Sequence, residues 1–150
     1  MNKRLDCLLN SKQVAELVGI EYATLDRWLR PERGGILTCT EGAAGRGSSR
    51  RFAFLDVIRI QVLAHLRREG VTMQMIRKVL GELTARYEVD DPLIEGRLVV
   101  AGSRLFWALD DAMLLDVLRQ QLAMKPLVIL PLGEMIRDTW AKVEAICEAA

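Results

Sequence analysis

The chain has 150 residues, of which 51% are hydrophobic and 27% charged, and its formal net charge is +1. This composition excludes a disordered tail, and the longest apolar run, residues 127–132, is far too short to span a membrane. The N-terminus has no apolar stretch of the length of a signal peptide, so we expect a cytoplasmic protein.

Residues 11–30 predict two short helices joined by a tight turn. Ser11 is a candidate N-cap, and Gly19 suits the left-handed position at the end of the first helix. The second helix ends before Pro31. Ala15 and Gly19 have the spacing of a helix-turn-helix, although two packed helices in any small α protein would look similar.

A turn-rich section follows, with candidate strands at residues 36–40 and 50–54. If these strands pair, the stretch GRGSSRR at residues 45–51 forms the tip and return of a hairpin. Its glycines and serines leave the backbone free, and its arginines supply counter-charge for phosphate. An idle exposed loop is the alternative. Phe52 and Phe54 lie two apart on the second strand, so we expect both to anchor the hairpin in the core.

Two further helices are predicted next, one from Asp56 to Gly70 and one capped by Thr72. The pattern then changes to a hairpin-helix-strand-helix tail, with strands at residues 97–101 and 104–108, a helix at 111–124, a strand at 127–130 and a helix at 133–148. The fold class is therefore α+β, mostly α.

An apolar stripe at three-four spacing runs along the last helix. It comprises Ile136, Trp140, Val143 and Cys147. Such a stripe must be buried, either in the core of its own chain, in a homodimer or against another protein.

Residues with catalytic or metal-binding potential are few and scattered. The three cysteines, Cys7, Cys39 and Cys147, are far apart in sequence, and we expect them to be reduced structural thiols. No zinc-ligand spacing, phosphate-binding loop or nucleophile motif is present in the sequence. We therefore expect neither an enzyme nor a cofactor or metal.

Charge is unevenly distributed between two candidate domains. Residues 1–86 contain 15 Lys and Arg against 9 Asp and Glu, a charge of +6, whereas residues 87–150 contain 6 against 11, a charge of −5. This split predicts a basic domain that binds nucleic acid and an acidic tail with another role, although chance segregation of surface charge is the alternative.

The order of elements in residues 8–83 resembles the DNA-binding domain of the MerR (mercury-resistance regulator) family of bacterial transcription factors. The resemblance is carried by the motifs VAELVGI and TLDRW, by GGIL, by the spacing of Arg50, Phe52, Asp56 and Val57, and by LAHLRREGVTMQMIRKVL. It implies a winged helix-turn-helix protein that binds double-stranded DNA and is nucleoid-associated.

The resemblance and the outward positions together give a set of candidate DNA-binding residues. They are Ser11, Lys12, Tyr22, Ala23, Thr24, Arg27, Arg30, Arg46, Ser48, Ser49, Arg50 and Arg51. The chain departs from the family at Glu21, where a serine is common, and at Asp26, where a basic residue is common. Because an acid near DNA repels phosphate, we expect contacts to shift to Tyr22, Arg27 and Arg30.

The tail has no counterpart of the long dimerising helix of the family. We nevertheless expect a homodimeric repressor, because one helix-turn-helix module binds DNA weakly. The tail is then a dimerisation element, a partner-binding surface or a ligand pocket. It also resembles the tails of MerR-type antitoxins, which implies an alternative role as an antitoxin that binds a toxin and represses its own promoter.

Overall fold

A computed structural model describes residues 7–41, 50–102, 104–108, 110, 112 and 127–149. The chain divides into two compact units, one formed by Met1–Gln61 with Gly133–Ala150 and the other by Val62–Leu132. These packing units differ from the division expected at residues 86 and 87. The expected division separates a DNA-binding part from a tail with another role. Packing does not test such roles, so the division stays a prediction.

The first unit contains a helix pair, a two-stranded sheet and the last helix of the chain. Its elements are β1 (Leu9–Asn10), α1 (Ser11–Val18), α2 (Tyr22–Trp28), a 3-10 helix (Pro31–Arg33), β2 (Arg51–Phe52), the start of α3 (Phe54–Arg68), and α5 (Leu132–Ala149) apart from its first residue.

Helix α1 begins with a reciprocal pair of side-chain hydrogen bonds. Asn10 is the N-cap rather than Ser11, and its Oδ1 accepts from the Gln13 amide at 2.8 Å while Gln13 Oε1 accepts from the Asn10 amide at 2.9 Å. Asn10 serves as the cap because its backbone is extended and its side chain reaches the third helical residue. The helix ends at Gly19 with φ of 81°, as predicted.

The two helices pack through apolar side chains to form the helix-turn-helix. Leu25 and Trp28 of α2 are buried, as are three apolar residues of α1, namely Val14, Ala15 and Val18. The turn is closed by the amides of Gly19 and Ile20, which both donate to the Ala15 carbonyl at 2.9 and 3.0 Å. This arrangement fixes which face of α2 is left exposed.

Residues 36–40 do not form the predicted strand. The amide of Leu37 donates to the Trp28 carbonyl at 3.1 Å, and that of Thr40 donates to the Asp56 carboxylate at 2.9 Å. Because these backbone donors are satisfied by α2 and by a side chain, no ladder forms there. A two-way backbone bridge joins Glu41 to Arg51, on either side of residues 42–49, which lie outside the described residues.

Strand β2 instead pairs with β1 in antiparallel fashion, with Leu9 opposite Phe52 and Asn10 opposite Arg51. The following helix begins at Phe54, two residues before the predicted start. Phe52 and Phe54 are both buried, as expected, but they do not share a strand face. Phe54 packs edge-to-face on Trp140 of α5, with ring centroids 4.8 Å apart.

Helix α5 is joined to the N-terminal end of the same unit by a disulfide. Cys7 and Cys147 are bonded at 1.99 Å across 140 residues of sequence, so the expectation of three reduced thiols is wrong for these two. Their pairing could not follow from spacing alone, because it depends on β1 and α5 lying in one unit. Cys39 is a free thiol.

The second unit contains the rest of α3, α4 (Met73–Tyr87) and an antiparallel sheet. Its strands β3 (Arg97–Ala101), β4 (Arg104–Ala108) and β5 (Leu127–Ile129) are ordered β4-β3-β5. Thr72 caps α4 as predicted, accepting from the Met75 amide at 3.1 Å. The helix predicted at residues 111–124 lies, apart from Ala112, outside the described residues, so the architecture of the tail stays a prediction.

None of the helices in the described part of the chain combines the length and the apolar character that a membrane span requires. In the same part of the chain, no group of three His, Cys, Asp or Glu side chains is arranged to hold a metal ion.

Candidate nucleic-acid interface

One face of α2 carries exposed side chains suited to a DNA groove. It comprises Tyr22, which is 58% exposed, with Ala23 and Arg27, and Thr24 half-buried beside them. The Arg27 guanidinium lies 3.4 Å from the Thr24 hydroxyl, on the exposed side of the helix. Four of the residues predicted for DNA contact therefore occur together on this face.

The N-terminus of α1 places two more predicted residues at the surface. Lys12 is exposed and Ser11 is half-buried. The Gln13 amide is already bonded to Asn10, so it is not free to bind a phosphate as a helix N-terminus can. Lys12 is thus the better candidate for a phosphate contact here.

Asp26 binds two of the arginines that the sequence assigned to DNA. Its Oδ2 accepts from Arg30 Nε at 2.8 Å and its Oδ1 accepts from Arg50 Nη1 at 2.7 Å. These hydrogen bonds lower the pKa of Asp26 to about 2, with the bond from Arg30 the larger cause and that from Arg50 the next. The carboxylate is therefore ionised at neutral pH. Asp26 is therefore an ion-pair centre as well as a departure from the family.

The two arginines differ in exposure. The Arg30 side chain is 44% exposed and also lies 3.5 Å from Glu32, whereas the Arg50 side chain is only 12% exposed. Arg50 was predicted to contact DNA, but its side chain is mostly enclosed and is paired with Asp26. Arg51 is half-buried, and its backbone pairs with Glu41. Arg46, Ser48 and Ser49, also predicted to contact DNA, lie outside the described residues.

A second aspartate, Asp56, bonds to the chain on both sides of the undescribed residues 42–49. Asp56 is buried, and its Oδ2 accepts from the Thr40 amide and the Ala53 amide, each at 2.9 Å, and from the Thr40 hydroxyl. Its Oδ1 accepts from Arg59 at 3.0 Å. One carboxylate thus caps α3 and holds residue 40 against it.

Residues 34–37 pack against the C-terminal end of α2. Gly35 donates its amide to the Arg30 carbonyl at 2.9 Å, and a Cβ at this position would lie 2.4 Å from the Trp28 carbonyl oxygen. Only glycine allows this approach. The thiol of Cys39 lies further along, and burial is the main cause of its raised pKa.

The apolar stripe of the last helix lies mostly inside the first unit. Val143 is buried, Trp140 packs on Phe54, and Cys147 is bonded to Cys7. Ile136 is 37% exposed. The structure therefore shows the intramolecular alternative for three of the four residues, and a dimer or partner contact through this stripe stays a prediction.

Sequence reasoning missed the roles of Asp26 and Asp56 as centres of hydrogen bonding. The pairing of Asp26 with Arg30 has a local signal, since residues four apart on a helix face one another. The pairing with Arg50, 24 residues away, has none. The bonds of Asp56 to the Ala53 amide and to Arg59 are local, but that to Thr40 is not.

Comparison with known proteins supports the same interpretation of the helix pair. The model of the MerR HTH family of regulatory proteins matches residues 9–83. An uncharacterised HTH-type transcriptional regulator of Mycobacterium bovis is 30% identical over 71 residues, which are 47% of this chain and 31% of the relative. Regulators of the same description in two strains of Mycobacterium tuberculosis match with the same identity and coverage.

The chain thus spans about a third of the length of the curated relatives it matches. A family of transcriptional regulators is consistent with the expectation that the protein is not an enzyme. Neither the family nor these relatives support the antitoxin alternative. Since the matched residues make up half of the chain and include the whole helix-turn-helix, this protein belongs to the MerR family of HTH regulatory proteins.

Proposed function

We propose that this protein is a sequence-specific regulator that inserts α2 into the major groove of duplex DNA. The observation that carries the proposal is the exposed face of α2, where Arg27 projects next to Tyr22 and Ala23 while Leu25 and Trp28 hold the helix from behind. A helix of this size fits the major groove, and an arginine there can bond both acceptors of a guanine.

The proposal gives the basic residues around α2 a supporting role. Lys12 contacts phosphate beside the groove, and the arginine-rich stretch at residues 45–51 acts as a wing on the DNA backbone or in the minor groove. Arg46 and Arg51 are the contributors from this stretch. Arg50 belongs to the base of the wing, since its guanidinium is paired with Asp26.

The same proposal includes a homodimer that represses transcription. One helix-turn-helix module supplies a small contact area, and two copies reading half-sites about one helical turn, ~34 Å, apart would supply the missing affinity. Repression follows from occupation of a promoter, which requires no further activity of the tail.

The test begins with selection of duplexes from a random pool by the full-length protein. Fluorescence anisotropy then compares the selected duplex with a scrambled one for the wild type, Arg27→Ala and Arg104→Ala. Arg104 is an exposed arginine of β4 in the other unit, so its variant removes the same charge without changing α2 or its sequence neighbours. We expect Arg27→Ala to lose most of the preference for the selected duplex and Arg104→Ala to keep it. A folded wild type that enriches no sequence would refute the proposal.

A further inference from the structure

Helix α2, which we propose reads DNA, carries an acidic residue, Asp26, among basic neighbours. Asp26 uses both carboxylate oxygens, one for Arg30 and one for Arg50, at 2.8 and 2.7 Å. Bonds between a guanidinium and a carboxylate are among the strongest hydrogen bonds in proteins. A DNA phosphate would need the same N–H groups, so the carboxylate and the phosphate compete for the arginines.

The outcome of this competition differs between the two arginines. Arg30 is 44% exposed, and exposed ion pairs are weak, so its side chain can exchange the carboxylate for a phosphate. Arg50 is 12% exposed, and Asp26 itself is 21% exposed. Separating this more enclosed pair would leave two charges poorly solvated, which opposes exchange.

Arg50 also occupies a structurally constrained place. It directly precedes β2, where Arg51 pairs with Glu41 on one side and Asn10 on the other. Its bond to Asp26 links α2 to the residue before β2, across 24 residues of sequence.

We propose that Asp26 is a specificity-determining residue, whose carboxylate keeps Arg50 out of contact with phosphate and so limits non-specific DNA binding. The same bond fixes the position of α2 relative to the start of β2. This inference rests on the proposed function, since it concerns how the same DNA interface discriminates. In the wild type, the counter-charge comes from Lys12, Arg27 and Arg30 together with the proposed wing residues Arg46 and Arg51, and Arg50 supplies none.

Replacing the carboxylate should therefore strengthen non-specific binding to DNA. Asp26→Asn keeps the shape of the side chain and removes its charge. We expect it to bind a scrambled duplex roughly 3- to 10-fold more tightly. The plot of log K against log salt should steepen by about 0.9, the value for one additional phosphate contact. The preference for the selected duplex should fall by a similar factor.

Double variants identify the arginine responsible. Asp26→Asn with Arg50→Gln should return the salt slope and the scrambled-duplex affinity to wild-type values. Asp26→Asn with Arg104→Gln has the same net charge but retains Arg50, so it should keep the gain. Asp26→Glu preserves the charge and should behave as the wild type.

A second measurement needs no variant. In the wild type with labelled arginine side chains, NMR should show the Arg50 guanidinium resonances unmoved on addition of the selected duplex, while those of Arg27 shift.

Three results would overturn the inference. One is a salt slope for Asp26→Asn equal to or shallower than that of the wild type. Another is a gain that survives removal of Arg50, and the third is a DNA-induced shift of the Arg50 resonances. If the wild type binds its selected duplex in these same experiments, the proposed function stands while the role of Asp26 fails. If the folded wild type binds no duplex at all, both fail.

Discussion

Within α1 and α2, the hydrogen bonds that end and cap the helices join residues at most five positions apart, whereas Thr40 and Arg50 bond to aspartates 16 and 24 positions away. The helix pair is thus organised by local bonds and an apolar face. Thr40 and Arg50 are instead held by carboxylates that lie on neighbouring helices. The contacts that shape α2 itself are therefore local, whereas its link to Arg50 requires chain segments that are distant in sequence to come together.

The largest expected effect comes from the longest link in the first unit, the Cys7–Cys147 disulfide. A cross-link over 140 residues restricts the unfolded chain strongly, so Cys7→Ser should lower the free energy of unfolding by about 2–5 kcal/mol. Urea unfolding of the wild type with and without a thiol reductant measures the same effect. Cys39→Ser, which removes the free thiol, is the control. Equal stability of the wild type and Cys7→Ser would show that the bond contributes nothing.

The next effect concerns Asp56. Asp56→Ala leaves the Thr40 amide, the Ala53 amide and the Arg59 guanidinium without their common acceptor, so we expect a loss of about 3 kcal/mol. Thermal unfolding gives the magnitude. Amide hydrogen exchange should also show Thr40 losing protection while Gly19, in the turn of the helix pair, retains it. Equal loss at both amides would mean that the two regions do not differ in the way described.

A smaller effect is expected when a local bond is removed. Asn10→Ala deletes the N-cap of α1 and should cost about 1 kcal/mol of stability. Ser11→Ala is the matched control, because Ser11 does not cap the helix, and it should change stability far less. If Ser11→Ala proved the more damaging variant, the assignment of the cap would be wrong.

The smallest effect is a pH dependence that belongs to Asp26. Its pKa is lowered from 3.8 to about 2 by the bonds to Arg30 and Arg50, so its contribution to stability is complete above pH ~5. As the pH falls through 3.8 towards 2, protonation of Asp26 removes that contribution. The stability difference between the wild type and Asp26→Asn should therefore shrink steadily over this range, as measured by urea unfolding at each pH. A difference that stays constant down to pH 2 would contradict the ion pairs.

The sequence predicts elements that depend on local contacts and fails for those that depend on distant ones. The helix pair, its glycine turn and the buried Leu25 and Trp28 follow from periodicity and turn chemistry, which are local. The failed strand at residues 36–40 has the right residue types, yet its donors are taken by Trp28 and Asp56. Propensity cannot anticipate such competition, because it depends on which helix lies alongside.

In the candidate interface, too, one part could be predicted from the sequence and another could not. The exposed face of α2 could be derived once its buried face was known. The enclosure of Arg50 could not, because an arginine in a basic glycine- and serine-rich stretch looks like any other phosphate-binding residue until Asp26 is found beside it. The disulfide between Cys7 and Cys147 was missed because the expectation of a reducing environment concerned the compartment and carried no information on proximity.

The central claim is that Arg27 on α2 reads a base in the major groove, and it can be tested by changing single atoms of DNA. Each guanine of the selected duplex is replaced in turn by 7-deazaguanine, which removes the N7 acceptor, and binding by the wild type and Arg27→Ala is measured by anisotropy. We predict one position at which the replacement weakens wild-type binding roughly 5- to 150-fold, the equivalent of about 1–3 kcal/mol, and leaves Arg27→Ala unaffected. Tolerance of the replacement at every guanine, or a loss that persists in Arg27→Ala, would contradict the claim.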